Sequence, residues 1–126
     1  MTGTTLDTGA LIALESGSKR MAVLLEEALA HNTELAVPAG VVAQAWRGGG
    51  RQARIARLLR ASVTTIVPLD RRLALRVGAR CAVTGSADVI DVSVAVCARD
   101  RQQPVVTSDP GDIGKIDPSL TLLSPS

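Results

Sequence analysis

"SADVIDVSVAVCARDRQQPVVTSD", residues 86–109, reads as a helix followed by a strand, with aspartates at both ends. Asp88 and Asp91 stand at the head of an apolar run that includes Val89, Ile90, Val92 and Val94. Three residues apart, they share one face of a helix near its start. Ser86 is placed to cap that helix, and a helix N-terminus favours first-turn acids. "PVVTSD", residues 104–109, then reads as a strand that stops on Asp109, with Pro110-Gly111 as a turn. A carboxylate on a buried element is costly unless it is paired or holds a metal. Asp91, set deeper than Asp88 and directly before the apolar run, raises that question most sharply.

The same order recurs outward from this stretch. Thr4-Thr5-Leu6 is a short β-prone run, followed by Asp7, Thr8-Gly9 and a helical stretch from Ala10. Residues 20–30 have helical periodicity, and 34–37 ("ELAV") read as a strand. Pro38 suits a helix start and leads into "AGVVAQAW". "RGGG" at 47–50 breaks the pattern, and "RQARIARLLRA" resumes a helix. Residues 64–69 are β-branched; Asp70 can cap a helix running to about Val83, and Gly85 ends it. "LTLL" at 120–123 is a last strand. Strands alternating with helices predict an α/β fold with a mostly parallel sheet. Such sheets bind ligands beyond the carboxyl ends of their strands. Asp7 and Asp109 both fall there, although Asp7 also fits a helix cap and Asp109 a turn residue.

The 126 residues are expected to form a single domain spanning 1–126. The core must be aliphatic, because the chain has no Phe, no Tyr and one Trp, Trp46. That argues against a nucleic-acid binder built on aromatic stacking. Net charge is only +2, but it is unevenly spread. Residues 47–80 hold nine arginines against one acid, Asp70, a net +8; the remainder holds five bases against eleven acids, a net −6. A polyanion partner on one side and an acidic site elsewhere would explain this, as would a solvated helix face. Cys81 and Cys97 have no Cys-x-x-Cys spacing and suit small core positions. No signal-peptide pattern opens the sequence, and no apolar run reaches the ~18 residues of a membrane span. The expectation is a soluble cytoplasmic protein with no membrane partner.

Converging carboxylates repel one another unless a cation sits between them. Hard oxygen ligands favour Mg²⁺ or Mn²⁺, and Mg²⁺ readily shares its shell with phosphate oxygens. Beside a strip of arginines the fitting substrate is a phosphodiester backbone. His31 is the only histidine and is expected in a loop, so a two-histidine ribonuclease mechanism is excluded. "RGGG" and "SGSKR" at 16–20 both lack the ending of a phosphate-binding loop and read as turns.

Four stretches, "LDTGALIALE", "VPAGVVAQAWRGG", "ADVIDVSVAVCAR" and "PVVTSDPGDI", occur in the order and near the spacing of a PIN domain. More narrowly the chain resembles the VapC toxins of bacterial type II toxin–antitoxin pairs, over nearly its whole length. The resemblance implies a three-layer α/β/α sandwich with a mostly parallel central sheet. It implies an endoribonuclease dependent on Mg²⁺, with Mn²⁺ able to substitute, acting on cellular RNA. It also implies a cognate VapB-type antitoxin and a toxin homodimer. Asp7, Asp91 and Asp109 match the family's metal-binding acids, and Thr107 its supporting hydroxyl. Asp88 and Asp112 are nearby extras. Gln44 stands where the family often has Glu, which keeps an oxygen but loses a charge. The expectation is one tightly bound ion, with Gln44 orienting a water there or contacting RNA. Arg47 and Arg51, nearest Gln44, are the expected RNA contacts close to the cut.

A competing reading keeps the fold but not the catalysis: a binding module for RNA or antitoxin, disabled by Gln44. A receiver-like phosphoacceptor fits less well, because Asp7 has no acidic neighbour and Lys115 lies too far beyond Asp109.

Overall fold

In the computed structural model, which describes residues 3–126, β1 (Thr4–Leu6) lies at the centre of a five-stranded parallel sheet. β2 (Leu35–Pro38) and then β3 (Thr64–Val67) extend to one side of it; β4 (Val105–Val106) and β5 (Leu122–Leu123) extend to the other. The chain therefore reverses its direction of travel at β1, and the crevice between β1 and β4 opens at their carboxyl ends. This is where an open α/β sheet accepts ligands. The register pairs Thr5 with Val105 and Leu6 with Val106, so Asp7 and Thr107 emerge side by side.

Caps and turn residues explain the helix boundaries. α1 (Thr8–Glu15) starts on Asp7, whose Oδ1 accepts from the Ala10 amide at 2.9 Å. α2 (Lys19–His31) starts on Ser18 and ends on Asn32 in the left-handed region, so His31 closes a helix instead of lying in a loop. α3 (Ala39–Ala45) follows β2 directly. Gly48 and Gly49 then take positive φ, a 3-10 turn spans Gly50–Gln52, and α4 (Ala53–Arg60) begins. α5 (Arg71–Thr84) is capped by Asp70 and stopped by Gly85 at φ 74°, a conformation that suits glycine. α6 (Val89–Arg101) leads into β4, and α7 (Pro110–Ile116) follows it.

Three boundaries differ from the sequence reading. Asp88, not Ser86, caps α6: its carboxylate accepts from the Asp91 amide at 2.9 Å, while the Ser86 hydroxyl accepts from the Asp88 amide. Pro110-Gly111 is the first turn of α7, because a proline at the first helical position is already set for the helix and needs no amide. The strands are also shorter than their β-prone runs; Thr107 and Ser108 already belong to the loop that carries Asp109.

The core is aliphatic. Leu6, Leu11, Leu25, Val37, Val41, Ile55, Val94, Val105 and Ile113 form one buried cluster across the sheet. α6 lies on β1, β2 and β4, with α5 and α7 packed against it, while α1 packs against α2, α3 and α4. These are the two helical layers of an α/β/α sandwich. A smaller cluster of Val77, Val92, Ala95 and Ile116 joins α5 and α7 to α6. Among the described residues, no single helix is long and apolar enough to cross a membrane.

Candidate metal centre

Four acids reach the crevice from three elements. Asp7 follows β1 and is buried, only 5% exposed. Asp91 lies in the first turn of α6. Asp109 and Asp112 come from the start of α7, three residues apart. Carboxylate oxygens of Asp91, Asp109 and Asp112 all lie within 4.8 Å of one another. Asp7 is outside that trio, set deeper, with its charge reaching both Asp91 and Asp109. The sequence reading treated Asp112 as an extra; the helical turn at Pro110 brings it into the cluster.

Thr107 joins the deep acid to the outer ones. It is buried, its hydroxyl accepts from the Asp109 amide at 2.9 Å, and the same hydroxyl lowers the pKa of the neighbouring Asp7 carboxyl. Gly9 lets the two loops approach. A Cβ there would come within 1.9 Å of the Ser108 hydroxyl oxygen and 2.8 Å of the Ser108 Cβ. Any side chain at position 9 would therefore push the Asp109 loop away from Asp7.

The electrostatics show an excess of negative charge. Burial pushes the Asp7 carboxyl above its ordinary value, against hydrogen bonds from Thr107, Ala10 and Gly9. Asp91 is pushed up to about 6, first by burial and then by Asp88, Asp109, Asp7 and Asp112. Asp109 is raised chiefly by the hydrogen bond and charge of Asp112. No Lys or Arg forms an ion pair with any of these acids among the described residues. The three carboxylates are close enough to converge on one ion, and their hard, anionic donors suit Mg²⁺ or Mn²⁺.

The remaining sequence candidates occupy the rim. Gln44 is exposed, and its Oε1 accepts from the Thr8 hydroxyl at 2.5 Å. Gln44 is thus tied to the residue after Asp7, with its Nε2 left to donate. Arg47 folds back onto the carbonyls of Ala43 and Trp46, at 3.0 and 2.7 Å, and so caps the end of α3. Arg51 is exposed, with no hydrogen-bond partner among the described residues. Asp88 serves as a helix cap on the flank of the site.

Two contributors escaped the sequence reading. Gln52 is buried; its Oε1 accepts from the Arg47 and Gly48 amides, and its Nε2 donates to the Ala45 carbonyl. It fixes the glycine loop that follows Gln44. Nothing in the sequence distinguishes it from a solvent-facing glutamine. Lys115 lines a cleft of about 330 Å³ together with Asp88, Asp91 and Asp112. Its spacing of three from Asp112 on α7 was the available signal.

The PIN domain family model matches residues 4–117. The chain belongs to the PIN domain family. The resemblance read from the four sequence motifs therefore holds, and so does the parallel α/β fold it implied. Among solved structures, a chain of FitAB bound to an IR36 DNA fragment aligns with TM-score 0.65 and 17% identity, covering 97% of this chain and 94% of that one. A chain of FitAcB from Neisseria gonorrhoeae aligns with TM-score 0.60 and 19% identity, covering 97% of each. At these identities the likeness is one of fold. No curated protein matches the chain by sequence.

Proposed function

We propose that this PIN domain protein is a metal-dependent endoribonuclease, the toxin of a toxin–antitoxin pair. The observation that carries the reading is the crowding of Asp7, Asp91, Asp109 and Asp112 where β1 and β4 end, with no Lys or Arg in an ion pair with them among the described residues. Asp7, Asp91 and Asp109 are assigned to hold a divalent ion, with Asp112 as a fourth donor. When bound, Mg²⁺ or Mn²⁺ offsets the negative charge of acids and phosphate and lowers the pKa of a coordinated water.

The protein's own groups do the rest. Thr107, beside Asp7 at the end of β4, fixes the Asp109 loop by accepting from the Asp109 amide. Gln44, fixed by Thr8, presents its amide nitrogen at the rim, where it can donate to a phosphate oxygen or a water. Arg51, Arg60 and Arg71 are exposed and form no ion pair among the described residues, and they supply a salt-sensitive attraction for the RNA backbone. Arg47 has the smaller part, because its guanidinium is already bonded to α3. The expected products are a 5′-phosphate and a 3′-hydroxyl. The partners assigned with this reading are a VapB-type antitoxin and a second copy of the chain, in the cytoplasm. The fold shared with chains of FitAB and FitAcB supports it.

The test is RNA cleavage by the purified protein and by Asp91→Asn, in Mg²⁺, in Mn²⁺ and in EDTA. Discrete cuts that need metal and vanish in the variant support the nuclease. An absence of cuts in every condition, with RNA binding retained, points instead to a binding module. Gln44→Glu would then show whether the missing charge is the cause.

A further inference from the structure

Beside the acid cluster runs the cleft of about 330 Å³, between the loop Gly85–Asp88 and α7. Asp88 and Asp91 line one side and Asp112 and Lys115 the other. Its volume is at the small end of ligand pockets, suited to one nucleotide unit and not to a duplex. The cleft shares Asp91 and Asp112 with the acids to which the proposed function assigns the ion, so it adjoins that site.

An acid-walled cleft should repel a polyanion. Lys115 is the one cation among its lining residues. It is exposed, and among the described residues its ammonium forms no ion pair, although three carboxylates line the same cleft. Three arginines of α5 and α6 are already engaged. Arg80 donates to the Ile116 carbonyl, Arg99 pairs with Asp117, and Arg76 pairs with Asp100. On the opposite wall the Ser86 hydroxyl accepts from the Asp88 amide, which leaves its own hydrogen to donate. The lining of the cleft thus holds one charged donor, Lys115, and one neutral donor, Ser86.

We propose that Lys115 is an RNA-binding residue that holds a backbone phosphate in this cleft, next to the phosphate presented to the acid cluster. This inference rests on the nuclease reading for what enters the site, but its test does not depend on cleavage. Lys115 acts as a positioning charge; it does not touch the reacting atoms.

The experiment measures binding of a fluorescein-labelled pool of 12-nucleotide single-stranded RNA by anisotropy, in Ca²⁺, over a series of salt concentrations. Wild type is compared with Lys115→Ala and Lys115→Arg. The alanine variant is expected to bind about five- to tenfold more weakly at low salt, with a salt slope reduced by about one. Lys115→Arg should recover most of the loss. Mn²⁺ affinity, measured by calorimetry without RNA, should change by less than about threefold, since a single exposed charge is well screened. Unchanged RNA affinity and slope, with markedly tighter Mn²⁺, would overturn the proposal and make Lys115 a counter-charge for the acids. Lys115-dependent binding without any cleavage by wild type would uphold the cleft and remove the nuclease reading. Failure of wild type to bind the RNA would remove both.

Discussion

Glu34 and Asp91 are both partly buried carboxylates at the ends of one parallel sheet. Glu34 precedes β2 at the amino end; Asp91 stands at the carboxyl end, among Asp7, Asp109 and Asp112. Glu34 Oε1 accepts from Arg101 Nε at 2.9 Å and Gln103 Nε2 at 2.8 Å, and its Oε2 accepts from the Thr65 hydroxyl at 2.9 Å. Gln103 in turn accepts from Thr5 at 2.8 Å. Burial alone would raise the Glu34 pKa, but Gln103, Thr65 and Arg101 together hold it below its ordinary value. Asp91 has the reverse environment: burial raises it, and four neighbouring acids raise it further, to about 6. An acid furnished with donors by its own chain joins elements together. An acid crowded by other acids is complete only when something from outside brings positive charge.

The largest effect should fall on catalysis. Asp91→Asn is expected to lower the RNA cleavage rate by roughly a hundredfold or more, on the scale of removing one preorganised electrostatic group from a reacting centre. Glu34→Gln should leave it within a few-fold. Cleavage time courses on one labelled RNA would measure both, and similar losses in the two variants would break the contrast.

Stability should order the same two positions the other way. Glu34→Ala leaves Arg101, Gln103 and Thr65 without their shared acceptor, and should cost about 2 kcal/mol. Asp91→Asn removes repulsion and should raise the melting temperature of the metal-free protein by a few degrees. Thermal melts in EDTA would decide. A lower melting temperature for Asp91→Asn would mean that the acid cluster is already neutralised within the chain.

Much of this contrast was legible in the residues. The order of strands and helices, the strand-end positions of Asp7 and Asp109, and the head-of-helix position of Asp91 all follow from local patterns. Periodicity, caps and turn formers act over a few residues and leave traces in the sequence. What escaped depends on pairing at a distance or on one local choice. Pro110-Gly111 suits either a turn or a first helical turn, and only the helical outcome brings Asp112 beside Asp109. Gln52 looks like any polar helix residue until the glycine loop folds back over it. The Glu34 network joins residues up to 98 positions apart, so no window along the chain contains it.

The pH dependence sharpens the comparison. In the unfolded chain Asp91 titrates near its ordinary value of 3.8, and in the folded chain at about 6. Between these values the folded state holds more protons, so this group's contribution to stability falls as pH rises from about 4 to 6. Glu34 acts oppositely: its folded pKa is lowered, so its contribution is lost as pH falls through that lowered value. Metal-free wild type should therefore gain stability relative to Asp91→Asn when pH is lowered from 7 to 5. Added Mg²⁺ should stabilise wild type at pH 7 and much less at pH 5, where protons occupy the same carboxylate. Denaturation at the two pH values, with and without Mg²⁺, measures both differences. A Mg²⁺ effect independent of pH would place the ion away from Asp91.

The smallest effect concerns the position where the chain lacks an acid. Gln44 is anchored at 2.5 Å by the Thr8 hydroxyl, beside Asp7, and adds no charge to the cluster. In Gln44→Glu the new carboxylate could still accept from Thr8, so the geometry should survive while another negative charge joins the rim. Two unit charges about 4 Å apart in water interact by ~1 kcal/mol, which corresponds to roughly fivefold in affinity. Wild type should then show one tight Mn²⁺ site by calorimetry, and the variant a second, weaker site strengthened by about that factor. The same added charge should slightly lower the melting temperature in EDTA, because it deepens the repulsion that Asp91 already feels. Two equally tight Mn²⁺ sites in wild type would show that the four aspartates suffice for both ions. Gln44 would then act on the RNA through its amide and not on the metal through its missing charge.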